Sequence, residues 1–100
     1  MIISHEQLLR AIRDRLVLDV RYDGYVRRIE PHAYGQSTAG EPILRCWQVS
    51  GGSAHGQPTG WKLMQRQGIQ LSHETGSTFP GPRPGYKRGD PAMQQIYAQL

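Results

Sequence analysis

The sequence predicts a mainly β (α+β) domain, a small five-stranded open barrel preceded by one helix and followed by an extended proline-rich arm and a second helix. Three observations predict it. Glycine and proline are abundant, 12 and 7 residues, while only 37% of the 100 residues are apolar, which suits a loop-rich β domain better than a helical bundle. Apolar and polar residues alternate from Leu16 to Tyr22, and the dipeptide Asp23-Gly24 follows. Such a dipeptide favours a type I′ hairpin, whose two central positions need φ > 0. Finally, short strands in a meander leave exposed edges unless the sheet curls on itself, and a small open barrel does that.

The elements follow in order. Residues 4–14 read as a helix: Ser4 is a good N-cap, Gln7 stands at capping-box spacing, and Leu8, Leu9 and Ile12 form an apolar stripe. The first hairpin pairs residues 16–22 with a strand from Tyr25 that ends near Glu30, because Pro31 cannot donate to a central ladder. Residues 34–41 read as loop. A third strand covers 43–50, with Ile43, Arg45, Trp47 and Val49 on one face and Leu44, Cys46 and Gln48 on the other. The glycine-rich stretch 51–60 is loop, residues 61–65 a fourth strand, and 69–73 a fifth after a break at Gly68. Residues 79–91 hold Pro80, Pro82, Pro84 and Pro91 interleaved with Arg83, Lys87 and Arg88, which favours extended backbone. Asp90-Pro91 resembles an N-cap with proline at the first helical position, and Met93, Ile96, Tyr97 and Leu100 fall at helical spacing. The chain is thus one domain, with a core over 4–75 and the arm and terminal helix over 76–100.

Composition narrows the function classes. The single cysteine, Cys46, allows no internal disulfide, and no stretch approaches the length of a membrane span. His5, Glu6, Arg10 and Arg13 interrupt the stretch after Met1 before it reaches the length of a signal sequence, so the expectation is a cytoplasmic protein without membrane contact. The formal charge of +4 favours polyanionic partners or simply solubility. Catalysis finds little footing. Cys46 lies in mid-strand, where a small buried thiol is the commoner use, and there is no Ser-His-Asp order, phosphate loop or paired carboxylate spacing. His5, His32, His55 and His73 are scattered and no Cys-x-x-Cys or His-x-x-x-His occurs, so neither a metal nor a cofactor is expected.

Three landmarks carry a resemblance. They are Ala11-Ile12 with a strand ending in Tyr22, then Arg27-Arg28-Ile29-Glu30-Pro31, then Trp47-Gln48-Val49. Over about two thirds of the chain, residues 8–71, the sequence is similar to a WYL domain, a small Sm-like barrel found mostly in bacterial and phage transcription regulators. Gln48 departs from the tyrosine that names the family, Lys62-Leu63-Met64 replaces an Arg-x-Phe, and Gly68-Ile69 stands where an Arg-Ile pair is expected. The resemblance implies a non-enzymatic sensing or regulatory module, here without a helix-turn-helix, that takes a nucleotide or single-stranded nucleic acid.

The ligand-binding candidates are accordingly Arg27, Lys62, Trp61, Tyr22 and Trp47. Arg27 holds the family position, and a guanidinium there can grip a phosphate in bidentate fashion. Lys62 offers a second phosphate contact, and Tyr22, Trp47 and Trp61 offer flat faces for bases. Each has a structural alternative. Trp47 shares its strand face with Ile43 and Val49 and so reads first as core, and Arg27 can instead pair with Glu30 or Asp19. Arg28 reads as a solvated edge charge. Arg83, Lys87 and Arg88 are candidates for contact with a partner or polyanion. The arm either wraps its own barrel, anchored by Phe79 and Tyr86, or reaches a second chain. That second case is an alternative function, a subunit acting by protein–protein contact or as a homodimer.

Overall fold

A computed structural model describes all 100 residues. The helix forms where its cap predicts. Helix α1 spans His5–Arg13; the Ser4 hydroxyl accepts from the Gln7 N–H at 3.0 Å, and the Gln7 side chain accepts from the Ser4 N–H at 2.8 Å. Nine residues do not make a self-sufficient helix, so α1 depends on burying Leu8, Ala11 and Ile12 against the sheet.

Six antiparallel strands follow: β1 (Leu16–Tyr22), β2 (Tyr25–Ser37), β3 (Pro42–Gly51), β4 (Gly60–Gln65), β5 (Gln70–Thr78) and β6 (Met93–Gln99), with a 3-10 turn at Arg66–Gly68. The β1–β2 hairpin turns through Asp23 (φ 51°) and Gly24 (φ 80°), the left-handed pair that the dipeptide promised. The sheet runs β4-β3-β2-β1-β5, and β6 adds to β2. It is open, because its end strands β4 and β5 do not pair; only the 3-10 turn joins them. The molecule measures 29 × 28 × 26 Å. Leu8 and Ile12 of α1 are buried in one cluster with Leu18, Val20, Ile29, Leu44, Met64 and Ile69. No helix is long and apolar enough to cross a membrane.

Two expectations are corrected. The second strand does not stop at Pro31 but continues to Ser37, through much of what reads as loop over 34–41. On one side β2 pairs throughout with β3, and the register shifts between Pro31 and Ala33. On the other side β1 covers β2 only up to Ile29, and β6 takes over from Ala33. Pro31 therefore falls in the interval between two partner strands, where its missing N–H costs no ladder bond.

The second correction is the terminal helix, which is a strand. Its apolar residues sit at helical spacing, but β2 has an unpaired edge from Ala33 to Ser37, and pairing with it supplies ladder bonds and burial that a short isolated helix lacks. Register shifts at Tyr34/Gly35 and Gln36/Ser37 break the period of two, so Met93, Ile96 and Ala98 turn inward without strict alternation.

Gly35 is the close-contact point of this added strand. A Cβ there would lie 2.2 Å from the Gln95 carbonyl oxygen and 3.1 Å from the Ile96 Cα. Gly35→Ala is therefore expected to cost about 1–3 kcal/mol in urea unfolding. Amide exchange should accelerate across residues 93–99 more than across 16–22, because the substitution wedges β6 off β2.

Candidate functional site

Strand alternation decides which candidates can meet. Counting by twos from the core positions, Arg27 precedes Ile29, Lys62 precedes Met64, Gln48 follows Cys46 and Tyr22 follows Val20. These four lie on the core side of the sheet at one end, where Arg27 stands opposite Val20 and Lys62 opposite Cys46. Trp47 and Trp61, opposite one another in β3 and β4, lie on the other side. The five predicted ligand residues are thus divided between two surfaces.

Arg27 is 4% exposed. Its Nε donates to the Tyr22 carbonyl at 3.1 Å and its Nη1 to Gln48 Oε1 at 3.3 Å. The guanidinium carbon lies 5.3 Å from the centre of the Tyr22 ring and 5.6 Å from that of Tyr25, within cation–π range of both. No carboxylate reaches it. Both acids expected as partners are taken: Asp19 binds Arg28 at 2.8 and 3.1 Å, and Glu30 binds Arg83 at 2.7 and 3.0 Å. Arg28 is therefore ion-paired at its exposed edge, and its hydrogen bond holds Asp19 below the usual carboxylate range.

The 51–60 loop closes over this end. Gln48 Nε2 donates to the carbonyls of Gly52 and Pro58 at 2.9 and 3.0 Å, and Lys62 Nζ donates to the Gln57 carbonyl at 2.6 Å and to Ser53 Oγ at 3.3 Å. Gly52 lies on the Tyr25 ring so closely that a Cβ would stand 2.2 Å from Cδ1. Tyr22 reaches the far side of the opening, where its hydroxyl accepts from the Gln65 N–H at 3.1 Å. Nearby Cys46 is fully buried, and burial pushes its thiol up to about 12, so it stays protonated beside Met64. No three His, Cys, Asp or Glu side chains gather closely enough to hold a metal ion.

On the other side, residues 79–91 fold back over Ile43, Arg45 and Trp47 of their own sheet. Trp47 shares its face with Ile43 as the alternation implies, but that face is covered by this segment and is not the main core. Trp47 and Trp61 meet edge to face at 5.3 Å, and Arg83 places its guanidinium 5.5 Å from the Trp47 ring centre while binding Glu30. Trp61 is half-buried, with its Nε1 donating to the Pro84 carbonyl at 3.1 Å. Arg45 binds Asp90 at 2.7 and 3.3 Å. Arg83 is thus occupied within the chain, whereas Lys87 and Arg88 are exposed and Arg88 Nε donates to the Leu100 carbonyl.

Sequence reasoning missed the residue on which this segment closes. His32 is fully buried, stacked on Phe79 at 5.3 Å and edge-on to Trp61 at 4.8 Å. The Arg83 backbone N–H, 3.1 Å from Nε2, can only donate; Nε2 therefore accepts and Nδ1 carries the proton to the Glu30 carbonyl at 2.8 Å. Both ring nitrogens are satisfied by the neutral form alone. Arg45, Gln48 and Asp90 were likewise not read as site residues: Arg45 and Asp90 pair across 45 residues, and Gln48 meets Arg27 on another strand.

Burial holds the His32 imidazole below its ordinary value of 6.5. As pH falls through that value the unfolded chain takes up a proton that the folded chain refuses, so stability is full above about 6.5 and declines below it. Burial pushes Asp90 up, but hydrogen bonds from Arg45 and the Ala92 N–H hold it below 3.8, so its contribution is lost only at more acid pH. Thermal midpoints should fall between pH 7.5 and 5, and His32→Gln, which keeps an acceptor for the Arg83 N–H, should flatten that window.

Comparison of the chain with protein-family models, with curated proteins and with solved structures finds no match.

Proposed function

We propose that the domain is a non-enzymatic module that binds a nucleotide or single-stranded nucleic acid at the end of the sheet occupied by Arg27, with Lys62 as a second phosphate contact and Tyr22 and Tyr25 as ring surfaces. One observation carries the reading: Arg27 is a buried guanidinium without a carboxylate, in a chain where Arg10, Arg13, Arg28, Arg45 and Arg83 all close ion pairs. A buried charge that lacks a counter-ion is costly, and an incoming phosphate supplies the missing charge with bidentate geometry.

The loop sets the terms of access. Its bonds to Gln48 and Lys62 are to neutral carbonyl and hydroxyl oxygens, weaker partners for an ammonium than a phosphate is. A phosphate that draws Lys62 from Gln57 and Ser53 loosens the loop as it binds. Tyr25, 41% exposed, then offers the nearest face on which a base can stack. The two tryptophans have no part in this surface. The resemblance of the Arg27–Pro31 and Trp47–Val49 motifs to a WYL domain implies the same ligand class.

Fluorescence anisotropy with a labelled oligothymidylate tests the proposal. Two phosphate contacts predict a slope of log K against log salt of about −1.4, falling to about −0.7 in Lys62→Ala. Arg27→Lys keeps the charge but loses the fork, and should weaken binding about tenfold, roughly 1.4 kcal/mol. Trp61→Phe, on the opposite side, should change nothing. Absence of binding to oligonucleotides and nucleotides at low salt contradicts the reading.

A further inference from the structure

Where residues 79–91 cross β3 and β4 they do not fill the space beneath them. A cavity of about 250 Å³ remains, lined by Arg45, Trp61, Gly85, Tyr86, Lys87 and Asp90. We propose that this cavity is a binding site for a small molecule made of one planar ring system joined to an anionic group, of the nucleoside monophosphate kind. It lies on the side of the sheet opposite Arg27 and does not rest on the function proposed above.

The walls supply the ring surface. Trp61 and Tyr86 stand 29° from parallel with centroids 6.1 Å apart. The Trp61 N–H is spent on the Pro84 carbonyl, and the Tyr86 hydroxyl points at the carbonyls of His32 and Leu100 at 3.4 and 3.2 Å. What both residues present to the cavity is therefore aromatic surface, which suits a flat ring. Gly85 permits the approach: its φ is +89°, and a Cβ there would stand 3.2 Å from Trp61 Nε1.

The charges supply the anion site. Arg45 gives Nε and Nη2 to Asp90, and its Nη1 donates to nothing within the chain. Lys87 joins no ion pair. Asp90 neutralises one of these two cations, which leaves a surplus positive charge in a partly enclosed space where it is screened less than on an open surface. The volume sets the size of the ligand. It lies just below the range of about 300–1,000 Å³ for ligand clefts, which limits the occupant to a single small ring and its acid group and excludes a polymer.

Titration of the labelled full-length chain with nucleoside monophosphates, followed by NMR, tests this. The Trp61 indole N–H and the amides of Gly85 and Lys87 should shift. Adenosine, which lacks the anion, and inorganic phosphate, which lacks the ring, should each bind at least about tenfold more weakly than adenosine monophosphate. Lys87 is exposed, so Lys87→Glu should fold normally and weaken binding at this cavity, read from the Trp61 and Gly85 shifts, about tenfold or more. The proposal is overturned if no monophosphate binds, if Lys87→Glu leaves affinity unaltered, or if the shifts gather around Arg27 and Lys62 instead.

Discussion

The structure turns on an interruption in β2 at Pro31 and His32. There the strand changes partner on one edge, from β1 to β6, and changes register on the other, against β3. A proline in the middle of an ordinary central strand forfeits a ladder bond; here it sits where no bond is asked for. The bonds that remain at this point are spent on the C-terminal part of the chain. The His32 ring accepts from the Arg83 N–H, its carbonyl accepts from the Leu100 N–H at 2.9 Å, and the Glu30 carboxylate holds the Arg83 guanidinium. The docking of residues 79–91 and the addition of β6 are therefore consequences of one local irregularity.

That docking divides the molecule electrostatically. Residues 79–91 bring Arg83 to Glu30 and Asp90 to Arg45, so the outer side of the sheet is largely self-neutralised and its tryptophans are half covered. Glu30 lies three residues from Arg27 and so on the opposite face of β2, where it pairs with Arg83. The buried guanidinium on the core side meets only neutral oxygens and aromatic rings. This is why the basic surplus is better read residue by residue than as a net charge of +4.

What was legible in the sequence was local. The Ser4–Gln7 cap, the Asp23-Gly24 turn and the alternation of β1, β3 and β4 each depend on residues a few positions apart, and each formed where it was expected. Alternation also sorted Trp47 from Cys46 correctly, but it could not say that the Trp47 face would be roofed by residues 79–91. The failures have long-range causes. β6 takes its conformation from an edge of β2 about 60 residues upstream, and its shifted register gave it a helical apolar spacing. The partners of Arg27 were misjudged because strand alternation puts Glu30 on the opposite face, where it meets Arg83 53 residues away, and Asp19 stands opposite Arg28. His32 looked like a residue that merely follows a proline, and only the fold puts three aromatic rings and a backbone N–H around it.

The central claim is that His32, neutral and protonated on Nδ1, pins the C-terminal segment to the interrupted strand. Nitrogen-15 NMR of the imidazole at neutral pH measures this directly. The account predicts a protonated Nδ1, an unprotonated Nε2, and a slowly exchanging Arg83 amide coupled to Nε2 across the hydrogen bond. An Nε2-protonated ring, a charged ring, or an Arg83 amide that exchanges as freely as one in an open loop would contradict it.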